Sequence, residues 1–591
     1  MRRFLVGLLA VVGFLTLLAG FAIGGLVYWV VREVHHANPV PDKAILSLAL
    51  HGNPGETAGA SSAVRRVIGG GQQTSLRDIV DALDQAAADP RVLGLLVDLS
   101  DANPSMATAQ ELRAAVQRLR AAGKTTFAFA DSFAEASRSS QAFYLAAAFD
   151  QVWLQPSGEV GITGLALDHP FIADGLKMLG VAPRFSERHE FKGGIDAFVD
   201  THLSAPLKAS LQGLLDDLLA QLVDGIATDR KLTPDAVRAL IDRAPLFADE
   251  AKKAGLIDGV GYRDEVRTLI RSRTDTAARF MTLARYLDRV GAPHQEGAKI
   301  ALIYGVGPVV RGNSDDDTSD LTGSESLSAD AVAQAFRDAV ADRDVRAILF
   351  RVDSPGGSYV ASDTVWREVK RARAAGKPVV ASMGAVAASG GYFVSMAADR
   401  VIADPGTLTG SIGVFAGKFV LTGLWDKLGV NWDQLTAGAN AGADSFNHDF
   451  TPEQWQRFNA SLDRVYADFA GRVADDRKIP ADKLDAVARG RVWTGRQAVQ
   501  LGLADATGDF DDALAAAKKL ANLAPDAPVR LERFPPERTP LDRLFKLLGD
   551  LDTAGTSVHA LVRLSQVFAP ILLRVDTMLR ARELTAPVEA P

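Results

Sequence analysis

Residues 4–31 carry no charge, and every later apolar run is much shorter. A stretch of that length exceeds the roughly 20 residues a helix needs to cross a bilayer, and it predicts one transmembrane helix. A cleaved signal peptide would have a shorter apolar region ending in small residues, whereas this one continues to Tyr28, Trp29 and Arg32. Arg2, Arg3 and the amino terminus outweigh the nearby Arg32, which Glu33 offsets, so the terminus is expected in the cytoplasm and the remainder across the membrane. In a bacterium that makes a single-pass inner-membrane protein with its bulk in the periplasm.

Beyond the anchor, short apolar runs alternate with amphipathic helical patterns, the signature of an α/β unit with largely parallel strands. In the second half the pattern predicts strands over 298–304, 346–352, 378–382 and 400–403. Helices are expected over 329–341, 361–375 and 389–398. The first half repeats the series from Ala44. Val92-Leu93-Gly94-Leu95-Leu96-Val97 returns in kind at Val345, 253 residues on, and Ala121-Ala122-Gly123-Lys124 returns as Ala374-Ala375-Gly376-Lys377 at the same offset. Leu179-Gly180-Val181 recurs as Leu428-Gly429-Val430 after 249 residues, and Ala254-Gly255-Leu256 is matched by Leu501-Gly502-Leu503 after 247. An offset that drifts slowly while order is kept is the mark of a duplication with small insertions and deletions. The expected plan is an anchor in 1–35, α/β copies over 44–287 and 298–535 joined at the glycine- and proline-bearing stretch 288–298, and a helical tail over 536–591 that packs on the body or a neighbour.

Composition narrows the chemistry. The 591 residues include no cysteine, which excludes disulfides, thiolate metal sites and a cysteine nucleophile. A net charge of -7 argues against a nucleic-acid partner. The nine histidines are scattered, with none between His294 and His448 and no H-E-x-x-H motif, so neither a zinc site nor the usual histidine-activated serine stands out. Asp315, Asp316 and Asp317 lack the glycine and glutamate of a calcium loop and read as solvated.

Two glycine-bearing segments follow expected strands, where α/β folds place their sites. Asp353-Ser354-Pro355-Gly356-Gly357-Ser358 is a turn, or a pair of backbone N–H groups presented to a developing oxyanion. Ala387-Ala388-Ser389-Gly390-Gly391-Tyr392 surrounds a serine with small residues at the head of a helix, and Ser389 is an N-cap or a nucleophile. The G-x-S-x-G elbow is not met, because position 387 is alanine.

These two segments, with Leu408-Thr409-Gly410-Ser411-Ile412-Gly413 after them, resemble the SppA signal peptide peptidases, also called protease IV. The anchor, the tandem repeat and Phe191-Lys192-Gly193-Gly194-Ile195-Asp196-Ala197-Phe198 resemble the long, duplicated form, and the likeness runs from about Ala44 to Leu531. The resemblance implies tandem Clp-protease/crotonase-like domains and a serine endopeptidase with a Ser–Lys dyad, requiring no metal or nucleotide. The nucleophile falls on Ser389, the general base on Lys192, an orienting role on Ser411, and oxyanion donors on Gly356 or Gly357 and on Gly390. Implied partners are cleaved signal peptides and other apolar peptides, the bilayer, and three further copies in a bowl-shaped tetramer.

The repeat bears on that assignment by itself. Lys192 aligns with Asn440, Gly356-Gly357 with Asn103-Pro104, and Ser389-Gly390-Gly391 with Ser140-Gln141-Ala142. Each copy lacks what the other keeps, which predicts one composite site. Two other readings share these features. A crotonase-like acyl-CoA enzyme would use the fold and oxyanion geometry without a nucleophile, and a non-catalytic membrane scaffold would need neither.

Overall fold

The computed structural model describes residues 39–57, 74–135, 139–312 and 325–536. The apolar stretch 4–31, the run of three aspartates at 315–317 and the tail beyond 536 lie outside these residues. Among the described residues no helix is long and apolar enough to cross a membrane.

The first copy builds its sheet from β1 (Ala44–Ala49), β2 (Val92–Asp98), β3 (Thr125–Ala130) and β4 (Gln151–Leu154). An outlying strand, β5 (Ala182–Glu187), follows, then β6 (Gly259–Val260) and β7 (Arg279–Thr282). The order is β6-β4-β3-β2-β1-β7, parallel throughout. The second copy supplies β8 (Ala298–Val306), β9 (Val345–Ser354), β10 (Val379–Ala388), β11 (Arg400–Ala403), β12 (Leu408–Gly410), β13 (Phe415–Val420), β14 (Val492–Thr494), β15 (Ala506–Thr507) and β16 (Val529–Phe534). Its parallel core runs β15-β11-β10-β9-β8-β16, the same order strand for strand. Strands covered on both faces need apolar residues on both. Accordingly β2 and β9 are almost wholly buried, between Val97 and Leu95 on one face and Leu96 with Phe129 on the other in the first copy.

The expected helix over 329–341 forms as Ala329–Ala341, burying Val332, Phe336 and Ala339 at helical spacing. A 26-residue helix recurs in each copy, Ala205–Arg230 and Pro452–Arg477, with Pro near the first turn and a left-handed lysine, Lys231 or Lys478, as its C-cap. The strand expected over 378–382 is longer than its pattern suggests. Past Gly384, β10 continues to Ala388 because its second half pairs with β12, which pairs antiparallel with β14. The helix expected over 389–398 is correspondingly short, Gly390–Ser395.

Of the contacts that bind the copies, a buried charge cluster and a strand pairing stand out. Arg351 of β9, 2% exposed, lies between Glu56 at 2.6 Å and Glu111 at 2.7 Å, both from the first copy. β5 crosses to pair antiparallel with β13, Ala182 opposite Val420 and Glu187 opposite Phe415. This ribbon carries the chain after Glu187 against the end of the second sheet.

Candidate active site

The end of β10 turns abruptly at Ser389, whose φ of 54° and ψ of -117° are unusual for a residue with a side chain. Its N–H is held by the carbonyl of Gly410 at 2.8 Å. No side-chain capping bond forms, so the plain N-cap role does not account for the serine. Strained backbone of this kind, fixed by its surroundings, turns the hydroxyl away from the strand it ends.

Lys192 arrives from the first copy on the loop after β5. Its Nζ lies 3.1 Å from Ser389 Oγ, 2.8 Å from the Ser411 carbonyl oxygen and 2.9 Å from Ser411 Oγ. The loop is pinned by Arg188 N–H to the Val414 carbonyl at 2.8 Å. It is admitted by a glycine, since a Cβ at Gly490 would stand 2.5 Å from Lys192 Cα. Ser411, itself at φ 51°, is fixed by its N–H to the Arg491 carbonyl at 2.6 Å. Burial lowers the Lys192 ammonium from 10.5 to about 8, against the opposing charge of Glu187. A neutral amine has two N–H bonds and one lone pair. Two Ser411 oxygens can take both N–H bonds, and the lone pair is then left facing Ser389 Oγ.

The glycines divide. Gly356 N–H donates to Ser354 Oγ at 3.2 Å, so the expectation that it serves an oxyanion is corrected: its donor is already used. Among the described residues the N–H groups of Gly357 and Gly390 have no acceptor, and a Cβ placed on Gly390 would stand 3.0 Å from Gly357 N, so the two donors are neighbours. Gly356 matters as a close approach instead. Its φ is +98°, and a side chain there would meet Gly390 N at 2.5 Å and Ser389 Cβ at 2.8 Å.

The first copy's counterparts do not assemble. Ser140 is buried, with its hydroxyl on the Gly164 carbonyl at 3.0 Å, and Asn440 sits in an exposed turn. His448 offers only its carbonyl, which accepts from Lys418. Sequence reasoning did not single out Ser354, Gly490, Arg491 or Glu187. A glycine between arginines, Arg489-Gly490-Arg491, is the signal that could have flagged the lysine's passage; a lone glutamate on a strand carries none.

A family profile and curated relatives that span most of the chain point to one family. The profile described as Peptidase family S49 matches residues 119–276 and 371–524, one segment in each copy. "Protease 4" of Salmonella typhi is 31% identical over 506 residues, covering 83% of this chain and 78% of that protein. "Serine protease SPPA, chloroplastic" of Arabidopsis thaliana is 29% identical over 490 residues, covering 80% and 70%. Among solved structures, a point mutant of ClpP1 from Listeria monocytogenes is 15% identical, covers 36% of this chain and 94% of that chain, and has a TM-score of 0.24.

Proposed function

Because this chain belongs to peptidase family S49 and is a serine peptidase, we propose that it is a membrane-anchored endopeptidase with a Ser389–Lys192 dyad, turning over cleaved signal peptides and other apolar peptides. One observation carries the reading: Nζ of Lys192, with both its N–H bonds engaged by Ser411, lies 3.1 Å from Ser389 Oγ. Ser389 Oγ attacks the scissile carbonyl as its proton passes to Nζ, and the N–H groups of Gly357 and Gly390 receive the developing oxyanion. Nζ then protonates the leaving amine, and water, deprotonated by the same amine, releases the acyl group. At pH 7 about one lysine in ten is neutral at a value near 8, against about one in three thousand at its ordinary value.

The uncharged stretch 4–31, with its flanking arginines, supports an inner-membrane anchor with the catalytic copies in the periplasm. Substrates that linger in a bilayer suit an enzyme tied to it.

The duplication supports self-assembly into a closed ring, with four copies the size the family resemblance implies. Residues 166–171 are the repeat counterpart of β13 and residues 431–436 that of β5, yet neither segment forms a strand here. Both carry exposed apolar side chains, Leu167, Trp432 and Leu435 among them, the last 99% exposed. A neighbouring chain that paired these segments would repeat the β5–β13 ribbon head to tail.

The test is labelling of purified protein with a fluorophosphonate, wild type beside Ser389→Ala and Lys192→Ala, with cleavage of an apolar peptide followed in parallel. Labelling at Ser389 that disappears in both variants is expected. Cleavage that survives either substitution refutes the dyad, and an unlabelled, inactive wild type favours the acyl-CoA or scaffold reading.

A further inference from the structure

The loop from Glu187 to Lys192 holds four other charged or titratable side chains besides Glu187, and each has a partner. Arg188 reaches Asp463 at 2.5 Å and Asn459, His189 packs edge-on against Tyr466, and Glu190 receives Arg489 at 2.9 Å. Lys192 is taken by Ser389 and Ser411. Glu187 alone is left over. Its Oε2 is buried and has no hydrogen-bond partner among the described residues, while the carboxylate faces the Gly193 N–H, just past Lys192. The charged groups that face it are Lys192 on the loop, Asp196 on the helix Asp196–Val199, and Asp200 at the end of that helix. Across the ribbon the residue opposite is Phe415, which is uncharged.

A half-buried carboxylate whose inner oxygen is left without a partner is costly, and one placed beside a titrating lysine calls for a role. We propose that Glu187 is a positioning residue of the peptidase reaction, closing the Lys192 loop through the Gly193 N–H and setting by its own charge how readily Lys192 gives up its proton. The inference rests on the Ser389–Lys192 reading of the site. Burial, with Asp196 adding to it, pushes the Glu187 carboxyl up to about 7, close below the value near 8 of Lys192. An ionised Glu187 favours the ammonium and so withholds the base, and a neutral one releases it. Two groups coupled in this way lose their protons in two steps that belong to the pair.

The experiment is the pH dependence of kcat/KM on an apolar peptide, and of fluorophosphonate labelling, for full-length protein in detergent. Glu187→Gln keeps an oxygen for Gly193 and removes the charge. Its acidic limb is expected to move down by about half to one pH unit, a three- to ten-fold gain at pH 6.5 relative to its own plateau. Glu187→Asp keeps the charge but draws it back from Gly193, and should hold the wild-type limb with a lower plateau. In the wild type the labelling rate should titrate in two steps, a readout independent of whether any variant folds. A single-proton wild-type curve, or a Glu187→Gln limb that stays in place, overturns the inference, as does a loss that is uniform at all pH values. Lys192→Ala and Ser389→Ala run alongside separate the two readings. If these lose activity while Glu187→Gln behaves as wild type, only the role of Glu187 fails; if Lys192→Ala stays active with its limb unmoved, the dyad fails and takes this inference with it.

Discussion

Replacing Lys192 with methionine should cost nearly all activity and yet stabilise the fold at neutral pH. The side chain keeps its length and loses its charge, and the methionine stem fits the passage beside Gly490. Burial takes the lysine from 10.5 to about 8, a displacement of about 3 kcal/mol of destabilisation for the charged form. Between pH 8 and pH 10.5 the unfolded chain keeps the proton that the folded chain has lost. Stability therefore rises with pH across that window, and the burden is fully present below it. The methionine variant has no such titration. Urea unfolding of both proteins at intervals from pH 7 to 10.5 should show the variant's advantage over wild type shrinking by about 3 kcal/mol as pH rises. Peptide cleavage by the variant should fall by about 100- to 10,000-fold, the range expected for a lost general base. A stability difference that stays flat over the window would mean that Lys192 titrates like an ordinary surface lysine. It would then be protonated throughout the neutral range and could not serve as the base.

Other substitutions probe neighbouring parts of the molecule. Ser389→Gly and Ser389→Ala should both be inactive, but the glycine variant should be more stable than the alanine variant by about 1 kcal/mol, because only glycine occupies φ 54° and ψ -117° without strain; equal denaturation midpoints would deny the strain. Gly356→Ala should lower kcat by at least about 100-fold with little change in KM, since its Cβ would push on Gly390 N and Ser389, and wild-type kinetics would show that this approach is dispensable. Arg351→Met leaves Glu56, Glu111 and the buried Asp404 without their shared cation, and urea unfolding should report a loss of about 3–5 kcal/mol; a loss under about 1 kcal/mol would sink the view of this cluster as the clasp between copies. Leu435→Asp should leave secondary structure intact by circular dichroism and reduce the particle in sedimentation velocity to a single chain, whereas an unchanged size would refute the proposed ring contact.

Much of the architecture was legible because duplication writes the same pattern twice. The 253-residue offset between Val92 and Val345 is the offset between the first residues of β2 and β9, and both copies then follow one strand order. The helix Ala329–Ala341 could be read to the residue because its buried positions repeat at helical spacing. The second half of β10 could not. Gly384, Ala385, Ala387 and Ala388 are poor strand formers, and the pairing of Val386, Ala387 and Ala388 with Leu408, Thr409 and Gly410 is a tertiary fact. The β5–β13 ribbon was invisible for a related reason, since strands more than 200 residues apart leave no local trace of their pairing. Ser389, Lys192 and Ser411 were found through motif resemblance and the complementary losses of the two copies. The sequence could not say which of Gly356 and Gly357 has a free N–H, because that depends on where Ser354 Oγ turns.

The division of the site between copies also has a consequence in time. Lys192 precedes Ser389 by 197 residues, so at ~5–20 residues per second the ribosome delivers the base roughly 10 to 40 s before the nucleophile. During that interval the emerging chain holds one half of the proposed dyad and, on that reading, no means of cutting anything. Activity begins only when the second copy has been made and its sheet has closed on the β5 ribbon. A peptidase whose site is divided in this way is thereby silent while its second half is still being made.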